Sequence, residues 1–291
     1  MKKFLFFGIT AILAIFLISA CSISSTDTHS SKLQKGSPKR IISLAPSITE
    51  ILFALGLNNS IVGVTDYCNY PPEALNKTKI GGFVNTNIET VVALNPDIVI
   101  ATKDGNNKMI VEKLKSLNIS VEVVNTQSIN DIFTSITQIA KHTFCEDKGK
   151  ALIADLERQI EKIKTKTKNK THPKILMVFG HNPLIVAGPN TFANELIELS
   201  GGENLAKNAK TSYPAYSLEQ IINEDPDFIL EASMITSENE KVVTFWHEWP
   251  NLKAVKQNKI YFLDSDIVTR PGPRISIALE KLFEIIHPEK G

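Results

Sequence analysis

The sequence predicts an α/β protein of two Rossmann-like lobes joined by a single long helix, with a ligand cleft between the lobes. Three observations carry this expectation. Strand-like and helix-like patterns alternate through both halves of the chain. Two stretches, "ETVVALNPDIVI" (89–100) and "EQIINEDPDFIL" (219–230), align without a gap at a constant spacing of 130 (219 − 89). Between them lies one long, charged, periodic segment, 147–168.

At 291 residues, 43% hydrophobic and 22% charged, the chain is long enough for two domains of ordinary size. A formal net charge of +1, with no Lys/Arg run interleaved with aromatics, sets nucleic acid aside as a partner. At the N-terminus, Lys2 and Lys3 precede the apolar run 4–18, and small residues lead to Cys21, a secretory signal pattern. The run is shorter than the ~20 residues of a spanning helix. "LISAC" (17–21) resembles a bacterial lipoprotein cleavage box, in which Cys21 becomes the lipidated first residue; an uncleaved anchor is the alternative. Residues 21–38 are polar and Ser-rich, which suits a flexible tether.

From "RIISL" (40–44) onward the elements follow in order. That strand leads into a helix at 47–56, whose Ser/Thr start and terminal Gly mark its ends. A strand at 61–65 precedes the first repeat copy, which reads as a short helix stopped by Pro and then a compact apolar strand. A helix at 107–117, a strand at 120–124 and a helix at 128–144 complete the lobe, whose apolar strands suit a parallel sheet covered on both faces. In 147–168, Leu152, Leu156, Ile160 and Ile163 form one stripe; roughly 20 residues of helix span about 30 Å, enough to bridge two lobes. The pattern then restarts with a strand at 174–179, a helix at 194–202, the second copy, a mixed segment around "FWHEWPNLKAV", a strand at 259–264 and a helix at 273–286. The expected domains are a signal peptide (1–20), a tether (21–38), an N-terminal lobe (39–146), a bridging helix (147–170) and a C-terminal lobe (171–291).

Ligands of open parallel sheets sit beyond the carboxyl ends of the strands, and the residues placed there are aromatic. "DYCNYPPEA" carries Tyr67 and Tyr70, "GGFVNTN" carries Phe83, "SYPAYS" carries Tyr213 and Tyr216, and "FWHEW" carries Trp246 and Trp249; of these, Tyr67, Phe83, Tyr213 and Trp246 are the expected ligand contacts. Aromatics converging from two lobes suit a large, flat, partly apolar ligand; the alternative for each is half-buried packing. In "DSDIVTRPGPR", Asp266 and Arg270 can hydrogen-bond polar groups at the ligand's rim or form a local ion pair. The six histidines, at 29, 142, 172, 181, 247 and 287, show no metal-site spacing, so no protein metal site is expected. His181 follows a core strand, which allows it to face the cleft and contact the ligand. Cys68 and Cys145 either pair or remain separate thiols.

The chain has no G-x-S-x-G elbow, phosphate loop or G-x-G-x-x-G turn, which argues against an enzyme; a secreted α/β hydrolase or metal-dependent enzyme is the remote alternative. Glu89 and Glu219 open the helices of the two repeat copies. A carboxylate there gains about 0.3–1 kcal/mol from the helix dipole. Helix stability alone does not explain the shared register. A two-lobed protein docking symmetrically on a dimeric partner, one carboxylate per partner arginine, would explain it.

The lipoprotein box, "RIISLAPSITEILFALGL", "VGVTDYCNYPPEA", "NIETVVALNPDIVIA", "SGGENL", "SLEQIINEDPDFIL" and "RPGPRI", in that order, resemble the substrate-binding proteins of bacterial ABC importers. The group is the one that serves cobalamin, haem and ferric siderophores, and the similarity runs over nearly all of 39–287. It implies two α/β lobes joined by one long helix, small hinge motion, and a monomeric, non-enzymatic receptor held by lipid on the extracytoplasmic face of the cell membrane. The cobalamin-binding members are the most similar, through "VGVTDYCNYPP" and "SDIVTRPGPR". Carried over, Tyr67, Phe83, Tyr213, Asp266 and Arg270 contact a corrinoid, a transported ligand and not a cofactor. Glu89 and Glu219 engage arginines of an ABC permease dimer, which works with its ATPase subunits. Phe83 and Tyr213 stand where those members carry tryptophan, so the pocket stays aromatic but is altered.

Overall fold

The computed structural model describes residues 36–233 and 239–288; the expected signal peptide, Cys21 and the tether through residue 35 lie outside them. The first lobe comprises β1 (Ile41–Ser43), α1 (Pro46–Ala54), β2 (Ile61–Val64), β3 (Thr78–Lys79), α2 (Ile88–Ala93), β4 (Ile98–Thr102), α3 (Lys108–Ser116), β5 (Val121–Val124) and α4 (Ile129–His142). Its sheet runs β3-β2-β1-β4-β5, parallel throughout. β1 and β4 are buried along their whole length, as strands covered by helices on both faces must be. α1 starts on Pro46 after an Ala45 cap whose side chain accepts nothing, so a proline in the first turn opens it rather than the expected Ser/Thr cap.

α5 (Glu146–Thr167) follows, a helix of 22 residues about 33 Å long. Leu156, Ile160 and Ile163 are buried along it and Leu152 packs at the edge of the same core. The helix lies against α4 on one side and against α6 (Phe192–Leu199) and α11 (Ile275–Ile286) of the second lobe on the other. Gly149 allows the close approach to α4: a side-chain carbon there would lie 2.6 Å from Ala140 Cβ. One buried apolar cluster consequently runs from Ile41 and Ile51 through Leu156 and Ile160 to Leu196 and Leu279.

The second lobe contains β6 (Lys174–His181), β7 (Leu184–Val186), α6, β8 (Glu203–Asn204), α7 (Leu218–Glu224), β9 (Phe228–Glu231), α8 (Asn239–His247), α9 (Lys253–Lys256), β10 (Ile260–Phe262), α10 (Ser265–Val268) and α11. Its sheet is ordered β10-β9-β6-β7, with β8 also on β6. β7 is antiparallel to β6; the others run parallel. β3, β7 and β8, of two or three residues each, are too short to show any periodicity, and the sequence does not announce them. The segment around "FWHEWPNLKAV" becomes α8, a turn and α9.

The repeated stretches form the same joint twice. Asn87 accepts the Thr90 amide at the start of α2, and Ser217 forms a capping box with Gln220 at the start of α7. Each helix ends near a left-handed residue, Asn95 (φ 42) or Asp225 (φ 48), types that tolerate this conformation, and Pro96 or Pro226 prevents continuation. Asp97 Oδ2 then accepts the Lys39 and Arg40 amides at 2.7 and 3.0 Å, and Asp227 Oδ2 accepts the Lys174 amide at 2.8 Å. The repeat is a stitch that fixes β4 beside β1 and β9 beside β6.

Candidate functional site: the cavity between the lobes

A cavity of about 790 Å³ lies between the lobes. The first lobe lines it with segments that follow its strands: Ala45–Ser47 after β1, Tyr67 after β2, Thr102, Asp104 and Gly105 at β4, and Thr126 and Gln127 after β5, together with the loop Gly82–Asn85. The second lobe contributes Asn190–Phe192, Ser212, Tyr213, Asp266 and Val268–Pro271. The walls present four aromatic rings, those of Tyr67, Phe83, Phe192 and Tyr213, with aliphatic, hydroxyl, amide and charged groups spaced between them. Such a surface suits a large ligand with apolar faces and polar edges.

Local geometry seats each ring. The far end of the Phe83 ring packs against Gly105, where any side-chain carbon would collide with it, and the Phe83 carbonyl accepts from Asn106 Nδ2 at 3.0 Å. Asn106 also donates to Leu44 O and accepts from the Thr102 amide, so one buried amide joins β1, β4 and the Phe83 loop. Tyr213 meets Phe179 edge-on at 5.6 Å, and burial in the cleft wall pushes its phenol pKa up. Tyr67 and Tyr213 nevertheless keep 61% and 54% of their surface open, which leaves both rings reachable from opposite lobes.

Below the cavity the lobes are bound by charge. Arg274 at the start of α11 donates through Nε and Nη2 to both oxygens of Glu50 on α1, at 2.9 and 2.7 Å, and its guanidinium lies 4.4 Å from the Tyr70 ring centre. Desolvation pushes the Glu50 carboxyl up, opposed by the hydrogen bonds and charge of Arg274. On another side, Glu195 of α6 accepts the Ile129 amide at the start of α4, at 2.6 Å. Glu50, Arg274, Glu195 and Asn106 are absent from the sequence-based expectations. Glu50 carries the one available signal, an acid inside an otherwise apolar helix.

The structure brings Tyr67, Phe83, Tyr213, Asp266 and Arg270 to this cavity and leaves the other two expected contacts outside it. Trp246 is fully buried; its indole donates to Glu231 Oε1 at 2.5 Å and packs in the core of the second lobe. His181 Nε2 lies 3.1 Å from the other oxygen of Glu231, and its ring meets Phe245 and Trp246 edge-on. A buried carboxylate requires such partners, and both side chains serve it instead of the cavity. Tyr216 and Trp249 likewise pack on that core. Cys68 and Cys145 are free thiols; Cys68 lies 3.1 Å from the hydroxyls of Thr49 and Thr65. Glu89 and Glu219 are exposed in the first turns of α2 and α7. Among the described residues, neither forms an ion pair, no group of side chains has the makings of a metal site, and no helix is long and apolar enough to cross a membrane.

Residues 41–267 match the family model described as periplasmic binding protein, and the chain belongs to that family. Its members are transport components that bind rather than catalyse. The chain is 30% identical over 247 residues to a vitamin B12-binding protein of Vibrio parahaemolyticus, covering 84% of this chain and 88% of that one. It is 34% identical over 262 residues to YvrC of Bacillus subtilis, named as an uncharacterized ABC transporter substrate-binding lipoprotein, with 88% and 82% covered. Among solved structures, the apo form of the periplasmic heme-binding protein RhuT from Roseiflexus sp. RS-1 superimposes with a TM-score of 0.79 at 26% identity, over 86% of this chain and 98% of that one. The chain thus falls in the group of ABC-importer substrate-binding proteins whose members include vitamin B12-binding and heme-binding proteins.

Proposed function

We propose that this protein is the lipid-anchored, extracytoplasmic receptor of an ABC importer and that it captures cobalamin or a related corrinoid in the cavity between its lobes. In this reading residues 1–20 are removed, Cys21 carries the lipid, 21–38 form the tether, and 39–146 and 171–291 are lobes bridged by 147–170. The monomer then presents Glu89 and Glu219, one per lobe, to arginines of the permease dimer with its ATPase subunits. The observation that carries the reading is the meeting of Tyr67, Phe83 and Tyr213 with Asp266 and Arg270 around one cavity of about 790 Å³. Rings from opposite lobes suit the faces of a macrocycle, and the charged pair suits its polar substituents.

Haem is the second reading. The two accessible phenols, Tyr67 and Tyr213, favour it, because tyrosine is an axial ligand of haem iron; the raised pKa of Tyr213 opposes phenolate formation. Calorimetric titration of the soluble form beginning at Ser22 with cyanocobalamin, haem and a ferric siderophore decides between them. One-to-one binding of cyanocobalamin alone is the expected result. No heat with cobalamin and saturation by an iron ligand would overturn the corrinoid reading.

A further inference from the structure

We propose that Asn69 is a positioning residue: its side-chain amide clasps the lobes at one rim of the cavity and holds Asp266 and Arg270 in the arrangement that a bound ligand meets. Only this last step rests on the ligand-capture reading; the clasp rests on geometry. Asn69 Nδ2 donates to Asp266 Oδ2 at 2.8 Å, and Arg270 Nη1 donates to Asn69 Oδ1 at 2.6 Å. Arg270 Nη2 closes the ring on Asp266 Oδ1 at 2.6 Å. The same nitrogen reaches the Tyr67 carbonyl at 3.1 Å, so the second lobe also grips the backbone of an aromatic that lines the cavity from the first.

The chemistry selects an amide at this position. Asp266 needs a donor and Arg270 an acceptor, and one Asn side chain supplies both. A carboxylate at 69 would oppose Asp266, and a hydrocarbon would take the donor from Asp266 Oδ2 and the acceptor from Arg270 Nη1 while their direct ion pair remains. The Asp266 and Arg270 side chains are only 25% and 12% exposed. They therefore meet a ligand as a fixed pair and not as two mobile charges, which lowers the ordering cost of binding.

The test uses the mature protein and three variants: N69A, N69D, and N69D combined with D266N. The last keeps one carboxylate and one amide facing each other. Hydrogen exchange is followed over 64–71 and 264–271, with stopped-flow release of cyanocobalamin and of haem. We expect N69A and N69D to speed exchange in both segments at least about threefold and to raise the release rate of whichever probe binds by about tenfold. The double variant should return exchange towards wild type. Unchanged exchange in N69A and N69D, or exchange that the double variant fails to restore, would overturn the clasp. Faster exchange with unaltered release would overturn the positioning role. A wild-type protein that binds neither probe would refute that role and both proposed ligands, while exchange still decides the clasp.

Discussion

At residue 97 the first lobe ties β4 to β1 through a carboxylate that accepts backbone amides, and at residue 227 the second lobe ties β9 to β6 in the same way. The likeness extends around the joint: Val91 and Ile221 are fully buried, while Val92 and Ile222 are 44% and 42% exposed. Four residues past each carboxylate the lobes part. Position 101 holds a buried Ala, and position 231 holds a buried Glu bonded to Trp246 and facing His181. The amino ends of these strands carry shared construction, whereas the carboxyl ends, which face ligands in such sheets, have diverged. The second lobe spends a histidine and a tryptophan on its acid, leaving Tyr213 as its aromatic contribution to the cavity beside Phe192.

The sharpest way to break this contrast is Glu231→Ala. Removing the acceptor of a buried indole and opening a cavity should lower unfolding free energy by about 3 kcal/mol in a denaturant titration. A loss below about 1 kcal/mol would show that the cluster is not a structural feature of this lobe.

The shared joints predict smaller, matched losses. Asp97→Asn and Asp227→Asn should each cost about 1 kcal/mol at neutral pH. Burial by itself would raise the Asp227 pKa, but the Lys253 ammonium and the Lys174 amide hold it below the usual value. A depressed folded pKa gives stability that is present above the unfolded value of about 3.9 and lost as pH falls through the folded value. The deficit of Asp227→Asn should consequently be full at pH 7 and close near pH 2; an equal deficit at both would refute the charged stitch. Because Lys253 is exposed, salt should trim the difference.

The smallest effect on stability belongs to Val92→Ser combined with Ile222→Ser, within about 0.5 kcal/mol. If the proposed docking faces include these aliphatic side chains beside Glu89 and Glu219, uptake in cells carrying the permease falls several-fold while ligand affinity holds. Normal uptake would place docking elsewhere on the lobes.

Much of the architecture was legible because its signals are local. Ser128, Ser217 and Asn107 cap helices where their types suggest, and the apolar stripe of α5 is buried as its period requires. Tyr67, Phe83 and Tyr213 could be singled out because each follows or closely flanks a predicted element. Trp246 could not be told from them by pattern, since a connection rich in aromatics reads alike whether its rings face a cleft or a core. The acid that draws Trp246 inward lies 15 residues earlier, at the end of β9.

By itself, then, the sequence determined the order of elements, the duplicated joint and the loops that carry aromatic rings, since periodicity, capping and proline stops act within a few residues. Tertiary structure alone decided which polar groups meet. Glu50 finds Arg274 across 224 positions and Asn69 finds Arg270 across 201. Those contacts depend on how the lobes pack around α5, and a hydrogen bond a few ångströms long leaves no trace in the spacing of residues so far apart along the chain.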